Sequence, residues 1–104
     1  MELRHLGGAL ASPAPGAGAL AHLDAGFAMF AVGIATGPDA LTRHLPRVTQ
    51  SLAAWGGRRA YLNFAESGRG SDSFYDELTY RRLRDLRRRV DPHGLFRANH
   101  EIPV

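Results

Sequence analysis

Residues 59–66 read RAYLNFAE, an alternation of aromatic or aliphatic side chains with others that predicts a short strand. Positions two apart on a strand share a face, so Tyr61 and Asn63 are expected on one side, with Leu62 and Phe64 as the apolar anchor on the other. Gly56 and Gly57 stand before this segment and end the preceding helix. A Ser/Gly loop over 67–73 follows it.

Upstream, Leu41, Leu45, Val48, Leu52 and Trp55 recur at spacings of four, three, four and three. This predicts a helix with one buried stripe, with Pro38 at its first position. Pro46 removes a backbone donor inside it, so a kink or a late start is expected. Downstream, a second helix is predicted from about Phe74 to Val90, with Tyr75, Leu78, Leu83, Leu86 and Val90 as its apolar stripe and Arg on the other sides. Asp91-Pro92-His93-Gly94 stops it, since the residue before Pro avoids helix and Gly tolerates positive φ. Leu95 and Phe96 are then expected to pack back.

Toward the N-terminus, residues 27–36 (FAMFAVGIAT) are apolar on both faces, the pattern of a central, covered strand. Glu2 to Leu10 reads as another strand with a bulge or close approach at Gly7 and Gly8. ASPAPGAGALA, residues 11–21, reads as the loop between them. The elements add up to an α+β fold: a small, mostly antiparallel sheet of three or so strands covered by two helices, in a single domain over 1–104.

A chain of 104 residues holds one modest core, burying roughly 65% of its unfolded surface, and excludes a multidomain enzyme. With no Cys there is no disulfide framework, thiolate metal site or cysteine nucleophile. No run approaches the ~20 apolar residues of a membrane span, and no basic leader precedes an apolar stretch. Neither a bilayer-crossing segment nor a signal peptide is expected, which leaves the cytoplasm as the default location. The net charge is +3 and every basic residue is Arg. Seven of these fall within residues 81–104 against Asp85, Asp91 and Glu101, so the basicity is local.

No His or carboxylate spacing aims several ligands at one point, so no metal site is expected. The glycines form neither a strand-GxGxxG-helix nor a Walker pattern. The run YRRLRDLRRRV, residues 80–90, could attract phosphates. Leu83, Leu86 and Val90 make it an ordinary amphipathic helix with a solvated basic face, and nucleic acid is an unlikely partner. Tyr61 and Asn63 are different in kind. A phenol serves as a general base where its surroundings favour proton loss, and a carboxamide supplies both a donor and an acceptor. Ordinary packing also explains such a pair.

Taken together, AYLNFAE and TYRRLRDLRRRVDPHGLFRANHEIPV resemble the C-terminal segment of the berberine bridge enzyme-like, FAD-linked oxidases. The shared order is a Y-x-N strand, a variable loop, a Tyr-bearing helix with R-L-R, then D-P-x-x-L-F-R-x-N and a closing I-P. ELRHLGGAL near the N-terminus looks like a strand of that family's substrate domain. The resemblance implies that residues 1–66 are the end of a substrate domain and 67–104 the berberine bridge enzyme-like C-terminal region. It also implies Tyr61 as catalytic base, Asn63 as a flavin-side contact, and a structural role for Asp91 to Phe96. Where family members commonly have Tyr after the Asn, this chain has Phe64.

In such an oxidase a small-molecule substrate passes hydride to FAD while a base takes a proton. The family's large flavin-binding domain has no counterpart in these residues, so the expected partner is a separate flavin-binding domain or subunit, without which the chain is inactive. The alternatives are a stand-alone binding or structural remnant and an Arg-rich nucleic-acid binder.

Overall fold

The computed structural model describes residues 1–34, 37, 39–57, 59–65 and 69–104; positions 35, 36, 38, 58 and 66–68, and the side chains at 40 and 41, lie outside the described set. Outside it therefore fall the end of the predicted strand 27–36, the predicted helix start at Pro38, the stripe position Leu41, and the start of the loop after Ala65.

The architecture is α+β. Strands β1 (Glu2–His5) and β2 (Phe27–Phe30) pair antiparallel in a two-stranded sheet, with Glu2 opposite Phe30 and His5 opposite Phe27. Beyond His5 the pairing loosens into a long hairpin. Leu6 N–H donates to the Gly26 carbonyl at 2.9 Å, Leu23 N–H to Leu10 at 2.8 Å and Ala14 N–H to Ala21 at 3.3 Å. Ala17 N–H closes on the Ala14 carbonyl at 3.1 Å around Pro15 and Gly16, whose φ is +71°. Pro second and a positive-φ Gly third fit a type II turn, so the Pro/Gly loop is a hairpin tip. The predicted first strand stops early because Gly8, with φ +59°, opens a 3-10 turn over Gly8–Ala11.

Helix α1 spans Ala40–Ser51 and runs through Pro46. Thr49 helps close its last turn, its hydroxyl donating to the Leu45 and Pro46 carbonyls at 3.3 and 2.9 Å. Leu45, Val48 and Leu52 are half-buried. Trp55 does not extend their stripe and is 81% exposed: the helix gives way to a 3-10 turn at Ala53–Trp55, whose tighter winding carries position 55 off the helical face.

Helix α2 spans Glu77–Val90, three residues later than predicted. The Asp76 carboxylate caps it by accepting from Thr79 N–H at 2.8 Å, which satisfies one orphan donor of the first turn. Phe74 instead closes a separate 3-10 turn, Ser71–Phe74. Leu83 is half-buried, while Leu78, Leu86 and Val90 are exposed, so the predicted stripe is only partly covered.

Among the described residues the buried apolar side chains are Leu6 and Phe74. The segment expected to be a central, covered strand, residues 27–36, has Phe27 at 63% and Ile34 at 87% exposure. A two-stranded sheet has no inner strand, which is the physical reason. The chain exposes 8353 Å², where a folded monomer of 11.3 kDa exposes roughly 5,700 Å². Its radius of gyration is 16.1 Å, against about 13 Å for a compact domain of this length. No described helix is long and apolar enough to cross a membrane.

Candidate functional site

Tyr61 and Asn63 do meet, but on a turn. Tyr61 is extended and leads into a 3-10 turn at Leu62–Phe64. Phe64 N–H donates to the Tyr61 carbonyl at 3.1 Å and Ala65 N–H to Leu62 at 3.2 Å. These local bonds occupy the carbonyls a strand would offer to a neighbour, which is why the predicted third strand is absent from the described residues. Asn favours such turns because its short polar side chain competes locally with ladder bonding. The turn still delivers the juxtaposition: the Asn63 amide Nδ2–H donates to the Tyr61 phenol oxygen at 3.2 Å.

Both ends of this turn are fastened. Ahead of it, Ala60 N–H donates to the Ser73 carbonyl at 3.0 Å. Behind it, His100 Nε2 lies 2.7 Å from the Ala65 carbonyl. Phe74, only 2% exposed, sits against the His100 ring at a centroid distance of 4.8 Å. Ser71 Oγ donates to the Glu101 carbonyl at 2.7 Å and is 3.2 Å from the Tyr80 hydroxyl, tying the C-terminal tail to α2. The Phe64 ring lies tilted against Phe30 of β2 at 4.9 Å and against Tyr61 at 5.5 Å. Neither His100 nor Ser71 is singled out by sequence reasoning, because the carbonyls they bond lie 35 and 30 positions away.

The pair has a defined chemical capacity. One amide N–H of Asn63 is spent on the phenol oxygen, leaving its second N–H, its carbonyl and the Tyr61 O–H for a ligand. Asn63 is exposed and Tyr61 half-buried.

The Asp91 to Phe96 segment is a closed loop at the end of α2. The buried Asp91 carboxylate accepts from Leu95 N–H at 2.7 Å and Phe96 N–H at 3.0 Å and pairs with Arg87 at 2.7 Å. Burial pushes its carboxyl upward, but the Phe96 and Leu95 N–H groups and the Arg87 and His93 charges outweigh this and hold it below the usual carboxylate value. The Leu95 and Phe96 backbones pack back. Their side chains, expected to follow, stay exposed because Gly94, with φ +63°, turns the chain so that amides rather than side chains face Asp91.

Elsewhere, a cleft of about 360 Å³ lies between the hairpin tip and α2, lined by His22, Arg59, Tyr75, Asp76, Thr79 and Leu83 among others, and by neither Tyr61 nor Asn63. No group of three or more metal-ligating side chains gathers among the described residues. Each helix has Asp as its N-cap, Asp39 for α1 and Asp76 for α2. Thr79 donates to Asp76 through both its backbone N–H and its hydroxyl, holding that carboxyl below its usual value.

Residues 60–103 match the family model described as berberine and berberine like. No curated protein and no solved structure matches the chain. The C-terminal part of the chain is thus similar to the berberine-like family over residues 60–103. The three fastenings that run through Ser73, His100 and Ser71, and the Tyr61–Asn63 pair they surround, all lie inside it.

Proposed function

We propose that the chain is the C-terminal, substrate-side portion of an FAD-dependent oxidase, lending Tyr61 as proton acceptor and Asn63 as flavin-side contact to a site completed by a separate flavin-binding domain or subunit. The observation that carries this reading is the hydrogen-bonded Tyr61–Asn63 pair held at both ends within the berberine-like segment 60–103. FAD, when bound, would supply the hydride acceptor. The chain's own contribution is to place a phenol and an amide side by side, so that Tyr61 takes a proton from a small-molecule substrate while Asn63 fixes the ring edge.

The exposed surface supports the same reading. Large apolar side chains, among them Phe27, Val32, Ile34 and Phe96, face solvent, and extensive exposed apolar surface marks a place where another protein surface docks.

The test is reconstitution. The chain is co-expressed with a flavin-binding domain of a berberine-like oxidase, and hydrogen peroxide release is measured for the wild type and for Tyr61→Phe. A general base contributes about 10²- to 10⁴-fold, so kcat is expected to fall by that order with the aromatic packing kept. Unchanged kcat removes Tyr61 from the chemistry. The chain alone, incubated with FAD and desalted, is expected to be colourless; a stoichiometric flavin spectrum would overturn the division of labour.

A further inference from the structure

We propose that His100 is the positioning residue of the Tyr61–Asn63 pair, an inference that rests on reading those two as the working groups and adds the residue that aims them. A carbonyl oxygen only accepts, so the 2.7 Å contact with Ala65 requires His100 Nε2 to carry the proton. Ala65 is the C-cap of the Leu62–Phe64 turn. Its N–H closes that turn on the Leu62 carbonyl, and its own carbonyl is the group His100 holds. The peptide units on both sides of Ala65 are thereby fixed, one by Leu62 and the other by His100.

The His100 ring is held from two sides: the buried Phe74 ring lies tilted against it at a centroid distance of 4.8 Å, and the next residue, Glu101, is anchored through its carbonyl to Ser71. His100 is therefore a strut from the core to the exit of the turn, while Ala60 on Ser73 is the strut at its entry. Neither the Tyr61 phenol nor the Asn63 amide has a described hydrogen-bond partner beyond the other. Their 3.2 Å approach depends on the backbone of the turn, and the backbone depends on these two struts.

Two substitutions separate ring from proton. His100→Phe keeps an aromatic ring against Phe74 and removes the N–H; His100→Gln keeps an N–H donor of comparable reach and removes the ring. The readout is the Asn63 side-chain amide resonances in a proton–nitrogen correlation spectrum of the full chain, with Tyr61→Phe as the reference for a lost phenol contact. His100→Phe is expected to move the Asn63 resonances toward their Tyr61→Phe positions, and His100→Gln to leave them near wild type. Wild-type resonances in His100→Phe would overturn the proposal, as would equal displacement in both variants. The spectrum is recorded without flavin or turnover, so a failure here is distinct from a failure of the oxidase reading, which the kcat of Tyr61→Phe decides.

Discussion

The Arg87 guanidinium and the Asp91 carboxylate meet at 2.7 Å across the last turn of α2, and the same Arg87 donates to the Phe96 carbonyl at 2.9 Å. One ion pair thus joins the helix end to the loop that leaves it. Because the Asp91 carboxyl is held below its ordinary value, the folded state binds its proton less readily than the unfolded chain does. Its stabilising contribution is full above an unfolded value of about 3.9 and disappears as pH falls through the lowered folded value. Thermal midpoints measured from pH 6 downward are expected to drop steeply below about pH 4 in the wild type. Asp91→Asn should lower the midpoint at pH 6 and flatten that acid limb; an unaltered limb would assign acid sensitivity to other carboxylates.

Phe74 carries much of the small core. Its replacement by Ala is expected to cost about 3–5 kcal/mol, comparable with the whole stability such a core provides, so Phe74→Ala should lose its cooperative thermal transition. Phe74→Leu, which retains much of the buried volume, should keep one. Circular dichroism at 222 nm, the usual helix signal, during a temperature ramp distinguishes the two.

Gly94 occupies the left-handed region, with φ +63°, where a Cβ costs roughly 1–2 kcal/mol. Gly94→Ala should therefore destabilise by about that amount even though the nearest atom to the added methyl, on Arg87, is 3.9 Å away. A thermal midpoint equal to wild type would mean that the loop turns without left-handed backbone.

Binding of duplex DNA is expected to be weak. Of the seven Arg in residues 81–104, Arg81, Arg87, Arg88 and Arg97 pair with Glu77, Asp91, Asp85 and Glu101. Three remaining cations would release about three counterions, so affinity should fall roughly 40-fold between 50 and 200 mM salt. Fluorescence anisotropy with labelled duplex measures this; sequence-selective binding that survives the higher salt would favour a nucleic-acid role.

The parts of the fold legible in the sequence are those whose causes are local. The Asp91-Pro92-His93-Gly94 stop, the Pro/Gly connection and the existence of both helices follow from backbone restrictions within a few residues. Misread elements turn on competition between neighbours at distance. RAYLNFAE has strand composition, yet local bonds at Tyr61 and Leu62 close a turn, and alternation alone does not disclose that. Residues 27–36 have the pattern of a covered strand, and what a strand is covered by is not written within it. At the site, the two-residue spacing of Tyr61 and Asn63 points to a shared strand face, whereas a turn brings them together; His100 is not legible, because a residue 35 positions from Ala65 leaves no trace in local periodicity.

The large exposed surface has a bearing on cooperativity. The steepness of a denaturant transition scales with the area newly exposed on unfolding, and a folded chain that already shows 8353 Å² to water has less left to expose. Urea should therefore melt this chain over a broad concentration range, with a slope near the low end for small proteins, about 1 kcal/mol per molar. Heat capacity obeys the same geometry, since apolar side chains already hydrated add nothing when the chain opens. Folding here is a shallow event, and any surface that covers Phe27, Ile34 and their exposed neighbours would steepen it.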